Sequence, residues 1–292
     1  MPVVAETPDR EGIVERPGAS ISWQEFGREG PVLVLLPTWS IVHSDFWHHQ
    51  VAYLRNRYRV VTFDGRGNGR SSRPATAAAY SDDEFAADAL AVLNELAVDR
   101  AVMLSVSAGA AWQLILAAEH PERVAAAVFI AASLPLGTPL PERTAVSGQF
   151  GEPQPTYDGW QKFNRHYWHQ DWPDFLRFFF AKCFTEPDSS REIEHFVRMG
   201  LETDPATIGL TAEAPGLDRP RTEALARNIR CPVLVIHGDH DAISSVTRGV
   251  ELAALTDGKL IVMPNVGHEP QCRWPTEVHA ILDEFLAQLP PA

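Results

Sequence analysis

The chain has 292 residues, a formal net charge of −13 at pH 7 and 45% hydrophobic residues. This length is enough for one large domain, or one domain with a sizeable insertion, and for a full core. The acidic balance argues against a nucleic-acid partner, because phosphate backbones are held by surplus lysine and arginine, and it mildly favours neutral or cationic small ligands. The three cysteines form no C-x-x-C pair, so they indicate neither a disulfide framework nor a zinc cluster.

The sequence shows no membrane signal. Its first thirty residues lack the apolar stretch of a signal peptide. No later stretch approaches the roughly eighteen uninterrupted apolar residues that a membrane span needs. With three cysteines that fit a reducing compartment, the sequence predicts a cytoplasmic protein without a membrane partner.

Strands and helices alternate in the first part of the chain. Residues 1–18 are polar and are expected to form a loose arm, and residues 19–26 alternate in a way that suits an outer strand. Continuous apolar runs follow, as is typical of strands covered by helices on both faces. The runs fall at 32–36, 58–63, 101–106 and 124–131, and helices are predicted near 45–57, 81–96 and 108–120.

The stretch from about 134 to 225 breaks this rhythm. It has no buried β run, and twelve aromatic residues fall between Tyr157 and Phe196. We therefore expect a mostly helical cap at 134–225, inserted into a core formed by 1–133 and 226–292. The β/α pattern resumes with strands at 232–237 and 259–263 and helices at 244–256 and 275–289. This order predicts an α/β fold with a doubly wound, mostly parallel sheet.

Ser107 stands where the apolar run 101–106 ends and a helix begins. A serine on such a strand-to-helix turn has the geometry of a nucleophile elbow, usually written G-x-S-x-G. Gly109 occupies the last position of that motif, whereas Ser105 replaces its first glycine. The alternative is that Ser107 is a helix N-cap, a common role for serine. The pentapeptide alone leaves both interpretations open.

Two further polar residues follow the last two predicted strands. Asp241 comes after the strand at 232–237 and His268 after the strand at 259–263. Sites in open parallel sheets form at the carboxyl ends of the strands, so both side chains are expected near Ser107. A serine hydroxyl needs an imidazole to take its proton, and the imidazole needs a carboxylate to fix its tautomer. Asp241 could instead cap a helix, and His268 could be an ordinary loop histidine, but the order Ser, Asp, His favours a catalytic triad.

With these motifs the chain resembles the α/β-hydrolase fold superfamily over nearly its whole length, apart from about the first fifteen residues and much of the cap. Residues 64–71, D-G-R-G-N-G-R-S, match the family's frequent D-x-R-G-x-G-x-S segment. The family's G-x-x-D segment places the acid at Asp241 rather than Asp239, and its histidine usually follows a glycine, as in Gly267-His268. The resemblance implies a serine hydrolase of the carboxylesterase or lactonase type with a helical cap.

The oxyanion loop departs from the family pattern. Where the family usually has His-Gly-x after the first central strand, this chain has P-T-W-S at residues 37–40. By position, the backbone N–H groups of Trp39 and Ala108 are the expected donors to an oxyanion, with Thr38 as a lesser candidate. Pro37 cannot serve, because it has no N–H.

The aromatic cap predicts a bulky, largely apolar substrate with a few polar handles. His43, Trp168 and Trp172 are the predicted substrate contacts, although a histidine such as His43 more often lies at the surface or behind the residues that touch the substrate. A macrocyclic lactone such as a macrolide is one candidate substrate. No carboxylate or thiolate accompanies the histidine pairs of the chain at ligand spacing, so no metal is predicted. These pairs are 48/49, 166/169 and 237/240.

The sequence thus predicts a cofactor-free serine hydrolase, a monomer or homodimer, that cleaves a small-molecule carboxylic ester or lactone through an acyl-enzyme on Ser107. Two alternatives stay open. The same triad could support other acyl chemistry, namely thioester cleavage, perhydrolysis or cleavage of a carbon–carbon bond next to a carbonyl. A ligand-binding receptor with this fold is the second alternative, because the usual glycines of the elbow and of the oxyanion loop are missing.

Overall fold

The structure, a computed structural model, describes residues 6–290. Within these residues eight strands form one sheet in the order β1-β2-β4-β3-β5-β6-β7-β8. The pairs β1–β2 and β2–β4 are antiparallel, and the other five pairs are parallel, which confirms the predicted mostly parallel sheet. The strands are β1 Arg10–Arg16, β2 Ala19–Phe26, β3 Val32–Leu35, β4 Arg59–Phe63, β5 Ala101–Val106, β6 Val124–Ile130, β7 Val233–Gly238 and β8 Lys259–Met263.

Helices connect the parallel strands, and several begin at a side-chain cap. Ser81, for example, accepts a hydrogen bond from the backbone N–H of Glu84 at the start of α2. The helices are α1 His48–Leu54, α2 Asp82–Glu95, α3 Gly109–Glu119, α4 Pro141–Thr144, α5 Arg165–Gln170, α6 Trp172–Cys183, α7 Ser190–Gly200, α8 Pro205–Ala212, α9 Arg219–Asn228, α10 Val246–Thr256, α11 Pro270–Arg273 and α12 Pro275–Leu286. Short 3-10 helices lie at Ser44–Trp47, Ala77–Tyr80 and Gly159–Lys162.

The amino-terminal part differs from the prediction. A loose arm was expected over 1–18, but residues 10–16 form β1, the edge strand, and β2 lies second in the sheet. Residues 1–5 lie outside the described residues. The polar composition reflects the edge position, since charged side chains protect a sheet edge from further pairing. Arg16 of β1 forms an ion pair with the buried Asp88 of α2, at 3.0 Å.

The core lies on both faces of the sheet. In β3, Leu33 and Leu35 face one hydrophobic cluster, and Val34 faces the other. Successive strand residues point to opposite faces, so a strand covered on both sides must be apolar at every position. This explains the uninterrupted apolar runs and holds the carboxyl ends of the central strands in a rigid frame.

Six helices, α4 to α9, occupy the segment between β6 and β7, whose residues are all described, and no strand lies there. Aromatic side chains such as Trp168 and Phe175 fill the interior of this helical segment. The expected boundary between residues 225 and 226 falls inside α9. That helix packs on α3 and α10 and buries Leu225 and Ala226 in the cluster on the core side.

None of the helices in the described part of the chain is long and apolar enough to cross a bilayer. The carboxyl ends of β3, β5, β7 and β8 meet at one edge of the sheet, beneath the helical segment. The residues predicted to be functional follow these strand ends.

Candidate active site

Ser107 sits on a sharp turn between β5 and α3. Its φ is +53°, in the left-handed region that non-glycine residues rarely adopt. The backbone holds this conformation from both sides, since the Ser107 N–H donates to the Ile130 carbonyl at 3.0 Å and the Ser133 N–H donates to the Ser107 carbonyl at 3.0 Å. The Ser107 hydroxyl does not cap α3, whose N-cap is Ala108, but donates to the hydroxyl of Ser133 at 3.2 Å. The elbow interpretation therefore fits this geometry, and the N-cap interpretation does not.

Gly109 is required by a close approach of backbone. A Cβ at this position would lie well inside van der Waals distance of the Pro37 carbonyl oxygen, in the loop after β3. The elbow and the oxyanion loop are thus in direct contact. Ser105, which replaces the usual first glycine, is fully buried, and its side chain is accommodated beside the bare Cα of Gly109.

Asp241 and His268 are joined by a buried hydrogen bond. The His268 Nδ1–H donates to Asp241 Oδ2 at 2.7 Å, and both side chains are almost fully buried. The other oxygen of Asp241 accepts from the backbone N–H groups of Ile243 and Ser244, each at 2.8 Å. Because the proton of the neutral imidazole is held on Nδ1, its Nε2 keeps a lone pair that can accept a proton.

His237 is a second partner of Asp241 that the sequence analysis considered only as a metal ligand. Its Nε2 lies 2.9 Å from the Ser244 carbonyl and 3.2 Å from Asp241 Oδ2. A carbonyl only accepts hydrogen bonds, so Nε2 carries the proton and points its positive end at the carboxylate as well. His237 is the histidine of β7, and its full burial separates it from a surface residue.

The pKa values of the pair move apart. Burial raises the pKa of Asp241. The charge of His268 and the hydrogen bonds from His237 and His268 lower this pKa by more than burial raises it, so the net pKa lies well below its ordinary value. Burial lowers the pKa of His268, but the Asp241 carboxylate more than offsets this and the net pKa is raised. Asp241 is therefore ionised at neutral pH and stabilises the protonated form of His268.

Trp39 and Ala108 border the same cavity as Ser107. Neither backbone N–H donates a hydrogen bond to another group among residues 6–290, so both stay available to a ligand. The Trp39 side chain is fixed by the helical segment above it. Its Nε1–H donates to the Thr211 hydroxyl at 2.7 Å, and its ring meets Phe179 edge-on with centroids 5.2 Å apart.

The cavity that contains Ser107, called the Ser107 cavity below, has a volume of about 480 Å³. Its wall combines aromatic rings, small hydroxyl side chains and two arginines. The lining residues are Trp39, Ser107, Ala108, Ser133, Pro139, Arg143, Thr144, Val146, Ser147, Gly148, Phe150, Trp160, Phe163, Phe179, Ala212, Ile243 and Arg248. A mixed wall of this kind can hold an apolar molecule that carries a few polar groups.

The three predicted substrate contacts do not line this cavity. Trp168 is fully buried among the aromatic rings of the helical segment, and Trp172 donates its Nε1–H to the Gly200 carbonyl at 3.0 Å. The two rings pack against each other inside that segment, with their centroids 5.6 Å apart. His43 borders a separate cavity and lies 3.6 Å from Glu202. The aromatic residues that line the Ser107 cavity are instead Trp39, Phe150, Trp160, Phe163 and Phe179.

The sequence did not single out a buried carboxyl group that lies next to His268. Glu269 accepts a hydrogen bond from the Gln271 side chain at 2.5 Å, and burial raises its pKa to about 7. Glu186 of the helical segment lies close by, and accepts from the Gly267 N–H at 2.8 Å. The loop that carries His268 is thus tied to the helical segment through acidic side chains.

One histidine pair does have a carboxylate beside it, contrary to the expectation from the sequence. The ligand atoms of Asp45, His48 and His195 all lie within 4.8 Å of one another. His195 comes from α7, far along the chain, so sequence spacing could not show this cluster. Arg198 donates to His195 Nδ1 at 3.3 Å, which leaves the proton on Nε2, 3.4 Å from Asp45. Asp45 and His48 border the cavity of His43 and not the Ser107 cavity.

Known proteins resemble this chain over most of its length. A bifunctional esterase/perhydrolase of Acinetobacter calcoaceticus is 28% identical over 288 residues, which cover 94% of this chain and 98% of the relative. The esterase RhEst1 of a Rhodococcus species is 26% identical, with a TM-score of 0.76 and coverage of 96% of this chain and 99% of its own. Est816, described as an N-acyl homoserine lactone degrading enzyme, is 26% identical, with a TM-score of 0.73 and coverage of 94% and 100%.

A family model described as alpha/beta hydrolase fold matches residues 31–272, which include every strand from β3 to β8, Ser107, Asp241 and His268. The match begins after β1 and β2, the antiparallel strands at the edge of the sheet. The sequence, the strand order and the match agree, and the chain belongs to the alpha/beta hydrolase fold family.

Proposed function

We propose that the protein is a serine hydrolase that cleaves a carboxylic ester or lactone through an acyl-enzyme on Ser107. The observation that carries this proposal is the combination of a strained serine at the elbow with a buried Asp241–His268 pair at the same edge of the sheet. Backbone strain at a residue with a reactive hydroxyl, held by backbone hydrogen bonds on both sides, is a feature of functional sites. The resemblance to an esterase/perhydrolase, an esterase and a lactone-degrading enzyme supports the same reaction class.

In the proposed mechanism the Ser107 hydroxyl leaves Ser133, passes its proton to His268 Nε2 and attacks the substrate carbonyl. The Trp39 and Ala108 N–H groups donate to the oxygen on which negative charge develops. His268 then returns the proton to the leaving alcohol, and the acyl group stays on Ser107. Water, deprotonated by His268, releases the acid and regenerates the serine. Asp241 stays ionised throughout and stabilises the charged imidazole.

The Ser107 cavity supports a small or medium-sized substrate. Its volume of about 480 Å³ falls in the lower part of the range of about 300–1,000 Å³ that is typical of ligand pockets. A macrocyclic lactone such as a macrolide is the bulkiest substrate to test, and no contact among the described residues favours it over a smaller ester. Aryl esters and simple lactones are therefore the first choice.

Replacement of the nucleophile tests the proposal. Ser107→Ala should lower kcat for a 4-nitrophenyl ester by about a thousandfold or more, because the attacking oxygen is removed while the cavity is kept. Ser133→Ala is the matched control. It removes the hydrogen-bond partner of Ser107 but not the nucleophile, and should retain most of the activity. Equal rates for wild type and Ser107→Ala would refute the mechanism. A fluorophosphonate probe should label wild type and not Ser107→Ala, whereas a receptor without an activated serine would not be labelled at all.

Perhydrolysis is a second candidate activity, favoured by the full-length resemblance to an esterase/perhydrolase. Hydrogen peroxide would take the place of water, attack the acyl group on Ser107 and release a peroxy acid. Peroxy acid formation from an ester and hydrogen peroxide, measured beside hydrolysis, decides between the two. A product ratio equal to that of the uncatalysed reaction at the same peroxide concentration would mean that the protein does not select peroxide.

A further inference from the structure

Arg143 and Arg248 stand out in the Ser107 cavity because their charges are not neutralised. Neither guanidinium lies within 4 Å of a carboxylate among residues 6–290, whereas Arg66, buried elsewhere in the core, is paired with Asp88 at 2.5 Å. The described residues that line the cavity include no aspartate or glutamate. A cavity with two positive charges is therefore embedded in a chain whose net charge is −13.

The contacts of the two side chains show which groups stay free. Arg143 donates from Nη1 to the Ile243 carbonyl at 2.6 Å, and its guanidinium stacks 5.0 Å from the centroid of the Trp160 ring. Both interactions fix the side chain without neutralising it. The Nε of Arg248 is buried and has no hydrogen-bond partner in the described part of the chain. A buried donor without a partner is costly, so a protein keeps one where a ligand completes it.

The electrostatic environment of Arg143 and Arg248 also indicates an anionic ligand. Burial, and then the charge of the neighbouring Arg248, lower the pKa of Arg143, and burial lowers the pKa of Arg248. Asp241 is the carboxylate that acts on both, but its oxygens already accept hydrogen bonds from His268, His237 and two backbone N–H groups. An anion from outside would relieve the repulsion between the guanidinium groups.

We infer that the substrate is an ester or lactone that carries a second, ionised acid group, a carboxylate, and that Arg143 and Arg248 bind this group while the ester carbonyl lies at Ser107. This inference rests on the proposed function and adds its substrate class. Arginine is suited to the task because its planar N–H groups match the two oxygens of a carboxylate. The mild preference for neutral or cationic ligands that net charge predicts is thereby reversed within the cavity.

A pair of substrates that differ in one charge tests the inference. The two substrates are the mono-4-nitrophenyl ester of suberic acid and methyl 4-nitrophenyl suberate, in which the second carboxyl group is a methyl ester. They have the same acyl chain, and glutarate analogues provide a shorter one. Wild type should favour the acid ester by about tenfold or more in kcat/KM, because charge-assisted hydrogen bonds are among the strong ones. Arg248→Met and Arg143→Gln should bring this ratio towards one, mainly through KM. Arg177→Met, on the exposed side of α6, is the matched control and should leave the ratio unchanged.

Binding provides a readout that does not depend on turnover. Suberate should quench the fluorescence of the cavity tryptophans in wild type with a Kd at least tenfold lower than in Arg248→Met, and neutral suberamide should not. A preference for the neutral ester, or an acid-to-neutral ratio and a suberate Kd that both variants leave unchanged, overturns the inference. If neither ester is cleaved by wild type, the proposed function fails, and suberate binding alone then decides whether the arginines hold an acid.

Discussion

Asp241 is the residue on which the chemistry of the site depends most. Its two oxygens accept hydrogen bonds from two histidines and two backbone N–H groups, so that a buried carboxylate stays ionised next to His268. Such a network is stable only when every member is satisfied, and here the loss of one donor would shift charge among the others. The raised pKa of His268 is the measurable result of this arrangement.

The pH dependence of activity reports on that pKa. In the proposed mechanism His268 must be neutral to accept the proton of Ser107, and its pKa is raised above the ordinary value of 6.5. We therefore expect kcat/KM to be low in acid and to increase with pH through a midpoint above 6.5. His166→Gln, which alters an exposed histidine of the helical segment, should leave the midpoint unchanged. A midpoint at or below 6.5 would contradict the account of the Asp241–His268 pair.

At the scale of elements, the site depends on the contact between the turn after β5 and the loop after β3. Gly109 begins α3 directly against the Pro37 carbonyl, and that loop carries the Trp39 N–H. The loop is also held from above through the bond between Trp39 and Thr211 of α8. Two elements of the core and one of the helical segment thus set the position of the proposed oxyanion donors.

Gly109→Ala should separate these elements. The added methyl group meets a backbone oxygen that cannot move without shifting the loop, and overpacking of this kind costs about 1–3 kcal/mol. We expect a lower melting temperature together with a larger loss of kcat than of ester binding. Gly209→Ala in α8 is the matched control, because nothing lies within 4 Å of the added Cβ and alanine favours a helix. Full activity in Gly109→Ala would show that the oxyanion loop tolerates the shift.

The elements also show what the sequence could and could not reveal. The ends of the strands can be predicted from the apolar runs. Ser107, Asp241 and His268 each follow the end of a parallel strand, so the sequence could single them out as neighbours at one edge of the sheet. The direction in which an aromatic ring of a helix points depends on the packing of several helices, so the sequence could not show that Trp168 lies outside the lining of the Ser107 cavity. The role inferred for Arg143 depends on its position in the cavity without a carboxylate partner, and a sequence does not show which charges are paired.

At the scale of the whole molecule, buried charge is concentrated at the edge of the sheet that holds the site. Glu269 lies directly after His268, is shielded from solvent and has a pKa raised to about 7 by burial. Asp241 and Glu186 both raise this pKa further, although His268 and Gln271 lower it. The stability of the entire fold is therefore coupled to the protonation of a residue in the site.

Replacement of Glu269 by glutamine should make that coupling visible. The ordinary pKa of 4.5 applies to the unfolded chain and a pKa of about 7 to the folded one, so the folded state retains a proton that the unfolded state loses between these values. The contribution of Glu269 to the free energy of unfolding is full below pH 4.5 and is lost as the pH rises to 7, by on the order of 3 kcal/mol. Glu269→Gln has no such titration. Urea unfolding at pH 5, 6, 7 and 8 should therefore show a stability difference between variant and wild type that grows in favour of the variant up to pH 7 and is constant above it. Glu142→Gln, at an exposed position of α4, is the control for the loss of a carboxylate. A difference that stays constant over the four pH values in Glu269→Gln would mean that Glu269 is ionised in the folded protein at all of them.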